Sequence, residues 1–302
     1  MESRKLRLIL NGKKSGLPQV RQAVSAVRKD GHEVDVRVTW EAGDAGRFAA
    51  EALDDDIDVV VAGGGDGTVN EVVNGVFRRT EKPEKSVAVL PLGSANDFAR
   101  GCGIPMQNAT AALRFAATAA AHPIDIGRVN DSYFINALVA GFGAEVTFHT
   151  SARMKKAIHG AAYGITGFLT ALKQSVYHSR VRTPTEERKG QMIFSALANG
   201  HQAGGLNIAP RAKLDDGLFD LMSVPKFDLH HLPTLVRDLT HLKQQDPTFI
   251  RYEQLPWLEV ESDRNIPISP DGEVLNTRFV RIDVLKRRLK FLLPDGPLLG
   301  KN

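Results

Sequence analysis

The stretch Ile57-Asp58-Val59-Val60-Val61-Ala62-Gly63-Gly64-Gly65-Asp66-Gly67-Thr68-Val69-Asn70 carries the clearest structural signal in the chain. Apolar residues run almost unbroken from Ile57 to Ala62, as in a parallel strand buried on both faces. Glycines then surround Asp66, and Val69–Phe77 continues with helical character. Glycines between a strand and a helix let the backbone approach a ligand, and free N–H groups at a helix start favour phosphate. A tight structural turn with Asp66 in an Asx-type hydrogen bond is the simpler alternative, but it does not call for glycine at 63, 64, 65 and 67. The two better-known phosphate loops are excluded. Gly12-Lys13-Lys14-Ser15 lacks the Walker spacing, and Thr68 occupies the third glycine position of the dinucleotide pattern. The glycine turn also follows the third strand, where the dinucleotide fingerprint expects the first.

On either side, strand and helix patterns alternate. Leu6–Leu10 reads as a strand and Asn11–Leu17 as a loop. Pro18 suits a helix start, with Val20, Ala23, Val24 and Val27 at helical spacing. Glu33–Val38 alternates like a strand, Phe48–Leu53 lies in a helix beginning near Asp44, and Val87–Leu90 is a further strand before the turn Pro91–Ser94. This βαβα series predicts an α/β domain, a parallel sheet with helices on both faces. Beyond Arg128 the texture changes. Tyr133–Leu138, Met192–Ala198, Leu218–Val224, Trp257–Glu261, Arg278–Leu285 and Lys290–Leu293 read as strands, and Met154–Tyr177 as one long helix. The expectation is an α/β domain over 1–128 and a mostly antiparallel β domain over 129–302, whose last residues are free to rejoin the first.

Composition agrees. The 302 residues suggest two domains at roughly 150 residues each. Hydrophobic residues at 42% and charged residues at 25% exclude a disordered, fibrous or coiled-coil chain. The balance of 39 Lys+Arg against 35 Asp+Glu gives only +4, without the concentrated patch of a nucleic-acid binder. Cys102 is the single cysteine, so no intrachain disulfide forms, a reducing compartment is favoured, and a structural thiol is expected. No apolar run matches a signal peptide or a membrane span. The expected setting is therefore cytoplasmic, with peripheral membrane contact at most. His230, His231 and His241 read as solvated surface histidines, lacking a carboxylate at ligand spacing. The basic clusters Arg153/Lys155/Lys156 and Arg281/Lys286/Arg287/Arg288/Lys290 read equally well as solvated faces or as contacts with anionic lipid.

A second motif, Pro91-Leu92-Gly93-Ser94-Ala95-Asn96-Asp97-Phe98-Ala99, also follows a strand, which places its turn beside the first at one sheet edge. Ser94 can donate to a phosphate there, and Asp97 can reach Asp66 or a hydrated cation, although a plain helix cap is the alternative. GGGDGTVNEVVNG (63–75) with PLGSANDFA (91–99) resembles the catalytic domain of diacylglycerol and sphingosine kinases, a relative of NAD kinases and phosphofructokinases. VRVTW (36–40), ANGHQAGG (198–205), PRAKLDDGL (210–218) and PDGE (270–273) extend the resemblance, along nearly the whole chain, to YegS-type bacterial lipid kinases.

That resemblance implies ATP cradled by Gly64, Gly65, Asp66, Gly67, Thr68, Val69 and Asn70, with Thr39 and Ser94 as further contacts and Asn11 bordering the nucleotide. Relatives often carry N-P-x-x-G where this chain has Asn11-Gly12-Lys13-Lys14-Ser15-Gly16, and Thr where it has Ser94. Asp66, Asp97 and Asp125 resemble the carboxylates that hold Mg²⁺, partly through water. Lys213, Asp216 and Leu218 resemble a second, largely structural metal site where Ca²⁺ can substitute, with Lys213 and Leu218 contributing backbone carbonyls. Glu273 would be the general base, with Asp271 a supporting or alternative one. The chemistry is coherent: phosphoryl transfer needs positioning, Mg²⁺ on the phosphate oxygens and a carboxylate for the hydroxyl proton. Taken alone, Pro270-Asp271-Gly272-Glu273 is simply a hairpin turn. The implied activity is ATP-dependent phosphorylation of a lipid such as phosphatidylglycerol or diacylglycerol. The alternatives are an NAD kinase-like enzyme and an inactive nucleotide- or lipid-binding regulator.

Overall fold

The computed structural model describes residues 3–141, 176–242, 246–296 and 298–300. Strands β1 (Lys5–Leu10), β2 (Glu33–Val38), β3 (Val59–Gly64) and β4 (Ser86–Pro91) pair in parallel in the order β2-β1-β3-β4. Helices α1 (Pro18–Lys29), α2 (Asp44–Glu51) and α3 (Asp66–Phe77) link them, and α4 (Asp97–Gly101) and α5 (Ala109–Thr118) follow β4. Strand β3 is buried at every position, as its apolar composition requires between two helical layers. On one face Ile9, Val60 and Ala62 pack with Val72, Val73 and Val76. On the other, Leu8, Val59 and Val61 pack with Ala23, Val27 and Leu113. Helices α2 and α3 approach through glycines: a Cβ on Gly75 would lie 2.7 Å from the Gly46 Cα and 2.9 Å from the Ala49 Cβ.

The rest is mostly antiparallel, as expected. Strands β5 (Ala121–Val129), β6 (Ser132–Phe134), β7 (Ala137–Gly141), β8 (Tyr177–Arg182), β9 (Glu187–Ala198), β12 (Phe219–Pro225), β13 (Arg251–Leu255), β14 (Trp257–Pro270) and β15 (Leu275–Leu292) build it, with the small hairpin β10 (Gln202–Ala203) and β11 (Leu206–Asn207). Helix α6 (Leu232–His241) packs beside them. Their interior holds Phe134, Leu197, Phe219, Leu258 and Ile282, with the Phe134 and Phe219 rings stacked at 5.4 Å. Among the described residues no helix is long and apolar enough to cross a membrane.

Local departures from the sequence reading have visible causes. Arg278–Leu285 and Lys290–Leu293 are parts of one strand, β15, interrupted by a register shift between Leu285 and Leu289 where Arg287 adopts φ +51°. The polar run Lys286-Arg287-Arg288 forms this bulge. Strand β15 pairs with β14 and β5 and then meets β4 in parallel at Phe291 and Val87. The single strand expected over Tyr133–Leu138 is two, β6 and β7, because the backbone N–H groups of Ile135, Asn136 and Ala137 all donate to Asp271. The expected helix Met154–Tyr177 lies outside the described residues except at its end, where Tyr177 opens strand β8.

Candidate active site

The ends of β1, β2, β3 and β4 converge at one sheet edge. Asn11 N donates to Gly63 O (2.8 Å), Thr39 N to Leu10 O (3.0 Å) and Leu92 N to Gly64 O (2.8 Å). Thr39 Oγ1 accepts from Gly12 N (3.1 Å), and the Asn11 amide reaches Thr68 Oγ1 at 3.5 Å. Thus Asn11, Thr39, Gly64 and Thr68 are brought together.

The two glycine turns touch. A Cβ on Gly93 would stand 2.5 Å from the Gly65 Cα and 2.6 Å from Asn96 Oδ1. Asn96, at φ +49°, closes the second turn with its amide: Oδ1 accepts from Gly93 N and Nδ2 donates to Gly93 O, both at 2.9 Å. Gly64 has no room for a Cβ because the Thr68 side chain occupies that space, whereas beside Gly67 it is open. Ser94 is exposed, and among the described residues its hydroxyl has no hydrogen-bond partner. Val69 packs into the core and Asn70 is buried, its amide bonded to Asn74, Tyr133 O and Asp271. These two therefore offer a nucleotide only their backbone.

Asp66 opens helix α3 and Asp97 opens α4. Asp66 Oδ1 accepts from Phe98 N (3.3 Å), and Asp97 Oδ1 accepts from Gly205 N (3.0 Å) in the β10–β11 hairpin. Burial pushes the Asp66 carboxyl above its ordinary value, and the neighbouring Asp97 charge adds to this. Two adjacent carboxylates of this kind, hard oxygen donors crowding their negative charges, fit Mg²⁺.

Asp125 sits on strand β5. Its Oδ2 accepts from Gly217 N (2.6 Å) and its Oδ1 from Arg287 N (2.7 Å), so it anchors the Lys213–Leu218 loop. Burial, with the like charges of Asp216 and Asp215, pushes its carboxyl up to about 6. Asp216, raised by burial, keeps Oδ1 on Leu218 N (2.9 Å). Asp215 is turned to Arg287 and to Gly300 N. The crowded acidic loop fits a divalent cation held by Asp216 and neighbouring carbonyls, with Lys213 exposed at its start.

Pro270-Asp271-Gly272-Glu273 is a hairpin turn with Asp271 at φ +45°, Gly272 at φ +97° and Glu273 N bonded to Pro270 O (3.0 Å). Asp271 is no base. Its carboxylate accepts from Ile135 N (2.7 Å), Asn136 N and Ala137 N (both 3.0 Å) and the Asn70 amide (3.3 Å). Burial raises its pKa while those donors oppose the shift. Asp271 thereby pins the turn to helix α3, and Glu273 is left exposed beside it. Sequence reading missed the Asn70–Asp271 link, since 201 positions separate the partners.

Two side readings are also resolved. Asp228, His230 and His231 gather within 4.8 Å, so a carboxylate does stand beside these histidines. His231 accepts from Asp228 N (3.3 Å) and stacks on Phe249 (4.8 Å), which shapes the entry to α6. Cys102 packs against the core and burial pushes its thiol pKa up, as an inert structural thiol requires.

Residues 5–129 match the model of the diacylglycerol kinase catalytic domain, and residues 136–293 that of the YegS C-terminal NAD kinase beta sandwich-like domain. A Chromohalobacter salexigens protein named "Probable lipid kinase YegS-like" is 43% identical, the alignment covering 97% of this chain and 94% of that one. A Pseudomonas aeruginosa protein of the same name is 41% identical, with 99% and 98% covered. A crystal structure of a diacylglycerol kinase from Bacillus anthracis str. Sterne superposes with a TM-score of 0.73 at 19% identity, covering 97% of this chain and 98% of that one, a likeness of fold. Family models over both halves and relatives of this identity along the full length show that the chain belongs to the YegS-like lipid kinase family.

Proposed function

We propose that this protein transfers the γ-phosphoryl group of ATP to the hydroxyl of a membrane lipid of the phosphatidylglycerol or diacylglycerol type. The observation that carries the reading is the meeting of Gly65 and Gly93 above Asp66 and Asp97, with the Glu273 turn pinned to the same helix through Asn70. The N–H groups opening α3 face phosphate, with the positive end of the helix dipole behind them. Ser94 donates to a phosphate oxygen. Asp66 and Asp97 would hold Mg²⁺, which would supply charge neutralisation for the transferred phosphoryl group. Glu273 accepts the hydroxyl proton, while Asp271, with its oxygens occupied, only fixes the turn.

The acceptor is argued from a cavity of about 200 Å³ within the β-rich part, lined by Leu138, Leu197, Leu221, Leu258, Ile268 and Ile282. Leu138 and Ile268 lie on β7 and β14, and β14 ends at Pro270 where the Glu273 turn begins. Arg188, Lys189 and Arg278 border the same cavity. An acyl chain fits such a lining and a soluble dinucleotide does not, while basic residues suit an anionic membrane surface. The test is γ-labelled ATP with Mg²⁺ and a panel of phosphatidylglycerol, diacylglycerol and NAD, using wild type, Asp66→Ala and Glu273→Gln. Label entering a lipid with wild type alone supports the reading. Label entering NAD, or entering lipid equally with the variants, refutes it.

A further inference from the structure

Trp40 is 96% exposed, far beyond Val38, Leu239 and Phe279, the other large apolar side chains in water among the described residues. Its indole has neither a hydrogen bond nor a ring contact among those residues. An indole left in water forgoes the apolar gain that normally places tryptophan inside or against a partner. Yet its backbone is held firmly. Asp44 Oδ2 accepts from Trp40 N (2.8 Å) and Glu41 N (3.1 Å), and Arg47 holds Asp44 Oδ1 (2.6 Å). Gly43 N, at φ +85°, donates to Glu71 of α3 (3.2 Å). On the other side, Thr39 is tied to Leu10 and Gly12.

Position indicates what covers the ring. The chain runs from β1 outward to β2 and then back past β1 to β3, so the topological switch lies between β1 and β3. Ligands of open α/β sheets bind beyond the carboxyl ends of the strands at that point. Trp40 follows β2 at this edge, and the phosphate turn follows β3. Two strand spacings, about 10 Å, separate them, a span that a ribose and its α-phosphate bridge. Lys13 and Lys14 lie between, in the short turn after β1, with charge suited to phosphates.

We infer that Trp40 is the platform on which the purine of the nucleotide stacks. This rests on the nucleotide reading above and adds to it a base-binding residue. Stacking on an aromatic face contributes binding through the base and not through the phosphates. The probe is therefore a comparison of ADP with inorganic tripolyphosphate, each with Mg²⁺, by calorimetry on the full chain. Trp40→Ala is expected to weaken ADP about tenfold while leaving tripolyphosphate within about twofold, and Trp40→Phe recovers most of the loss. In a Trp257→Phe background, ADP quenches the remaining indole emission and tripolyphosphate does not. Equal ADP affinity for wild type and Trp40→Ala overturns the assignment, as does an equal loss for both ligands, which marks a merely structural role. Loss of binding to phosphatidylglycerol vesicles with ADP binding intact overturns it too, in favour of a membrane contact. Wild type that binds tripolyphosphate and no ADP also sinks it, and wild type that binds neither sinks the nucleotide reading itself.

Discussion

Replacing Asp271 by alanine separates support from chemistry within the Pro270–Glu273 turn. The substitution leaves the N–H groups of Ile135, Asn136 and Ala137 and the Asn70 amide without their acceptor. A donor stranded away from water costs about 1–3 kcal/mol. The turn faces solvent on its Gly272 side, so water reaches some of them. Counting two as lost gives about 4 kcal/mol, and at roughly 2 °C per kcal/mol for a chain of this size Tm falls by about 8 °C. Asp271→Asn keeps one acceptor oxygen and is expected to fall by roughly half as much. Glu273→Gln removes no contact of the fold, so its Tm stays within about 1 °C while phosphoryl transfer is lost. Calorimetric melting and the labelled-ATP assay on all three variants decide the matter. A Tm for Asp271→Ala within about 2 °C of wild type refutes the pinning role. So does an Asp271→Asn protein that melts like wild type yet is as inactive as Glu273→Gln, because Asp271 would then act on the reaction directly.

Gly93→Ala forces a methyl against the Gly65 Cα and Asn96 Oδ1; it is expected to abolish ATP binding with a smaller loss of stability, checked by calorimetric titration beside a melting curve. Gly75→Ala gains about 1 kcal/mol of helix propensity, but overpacks Gly46 and Ala49 by about 1–3 kcal/mol, so the urea midpoint should drop. Asp125, with its carboxyl pushed up to about 6, binds a proton in the folded chain that the unfolded chain releases near its ordinary value. Stability of the metal-free protein should therefore be greatest below that ordinary value, fall as pH rises towards 6 and level off above it. Urea melts across that window check the slope; Asp125→Asn flattens it, and a slope of opposite sign rejects the assignment. Asp44→Ala should speed amide exchange at Trp40 and Glu41, read by mass spectrometry, because both amides donate to that carboxylate.

Much of the N-terminal half is written in local pattern. A strand buried on both faces must be apolar throughout, and Val59–Ala62 is; glycines at 63–65 mark its end, where a Cβ would crowd neighbouring atoms. The parallel sheet, the two polar turns at one edge and the candidate carboxylates Asp66 and Asp97 were therefore legible from neighbouring residues. The antiparallel half was legible as a class and less so in its joints. Strand β15 reads as two because its bulge is polar, and β6–β7 reads as one because nothing local reveals that Asp271 takes the N–H groups of residues 135–137.

What tertiary structure alone decided is the division of labour among carboxylates. The family resemblance groups Asp66, Asp97 and Asp125 as metal carboxylates and Glu273 and Asp271 as bases, without showing what surrounds each. Folding sends Asp125 to Gly217 and Arg287, surrounds Asp271 with four donors and leaves Glu273 exposed beside helix α3. A carboxylate's role follows from which of its lone pairs remain free and how far burial moves its proton affinity. For Asp125 and Asp271 the hydrogen-bond partners lie 92 to 201 positions away.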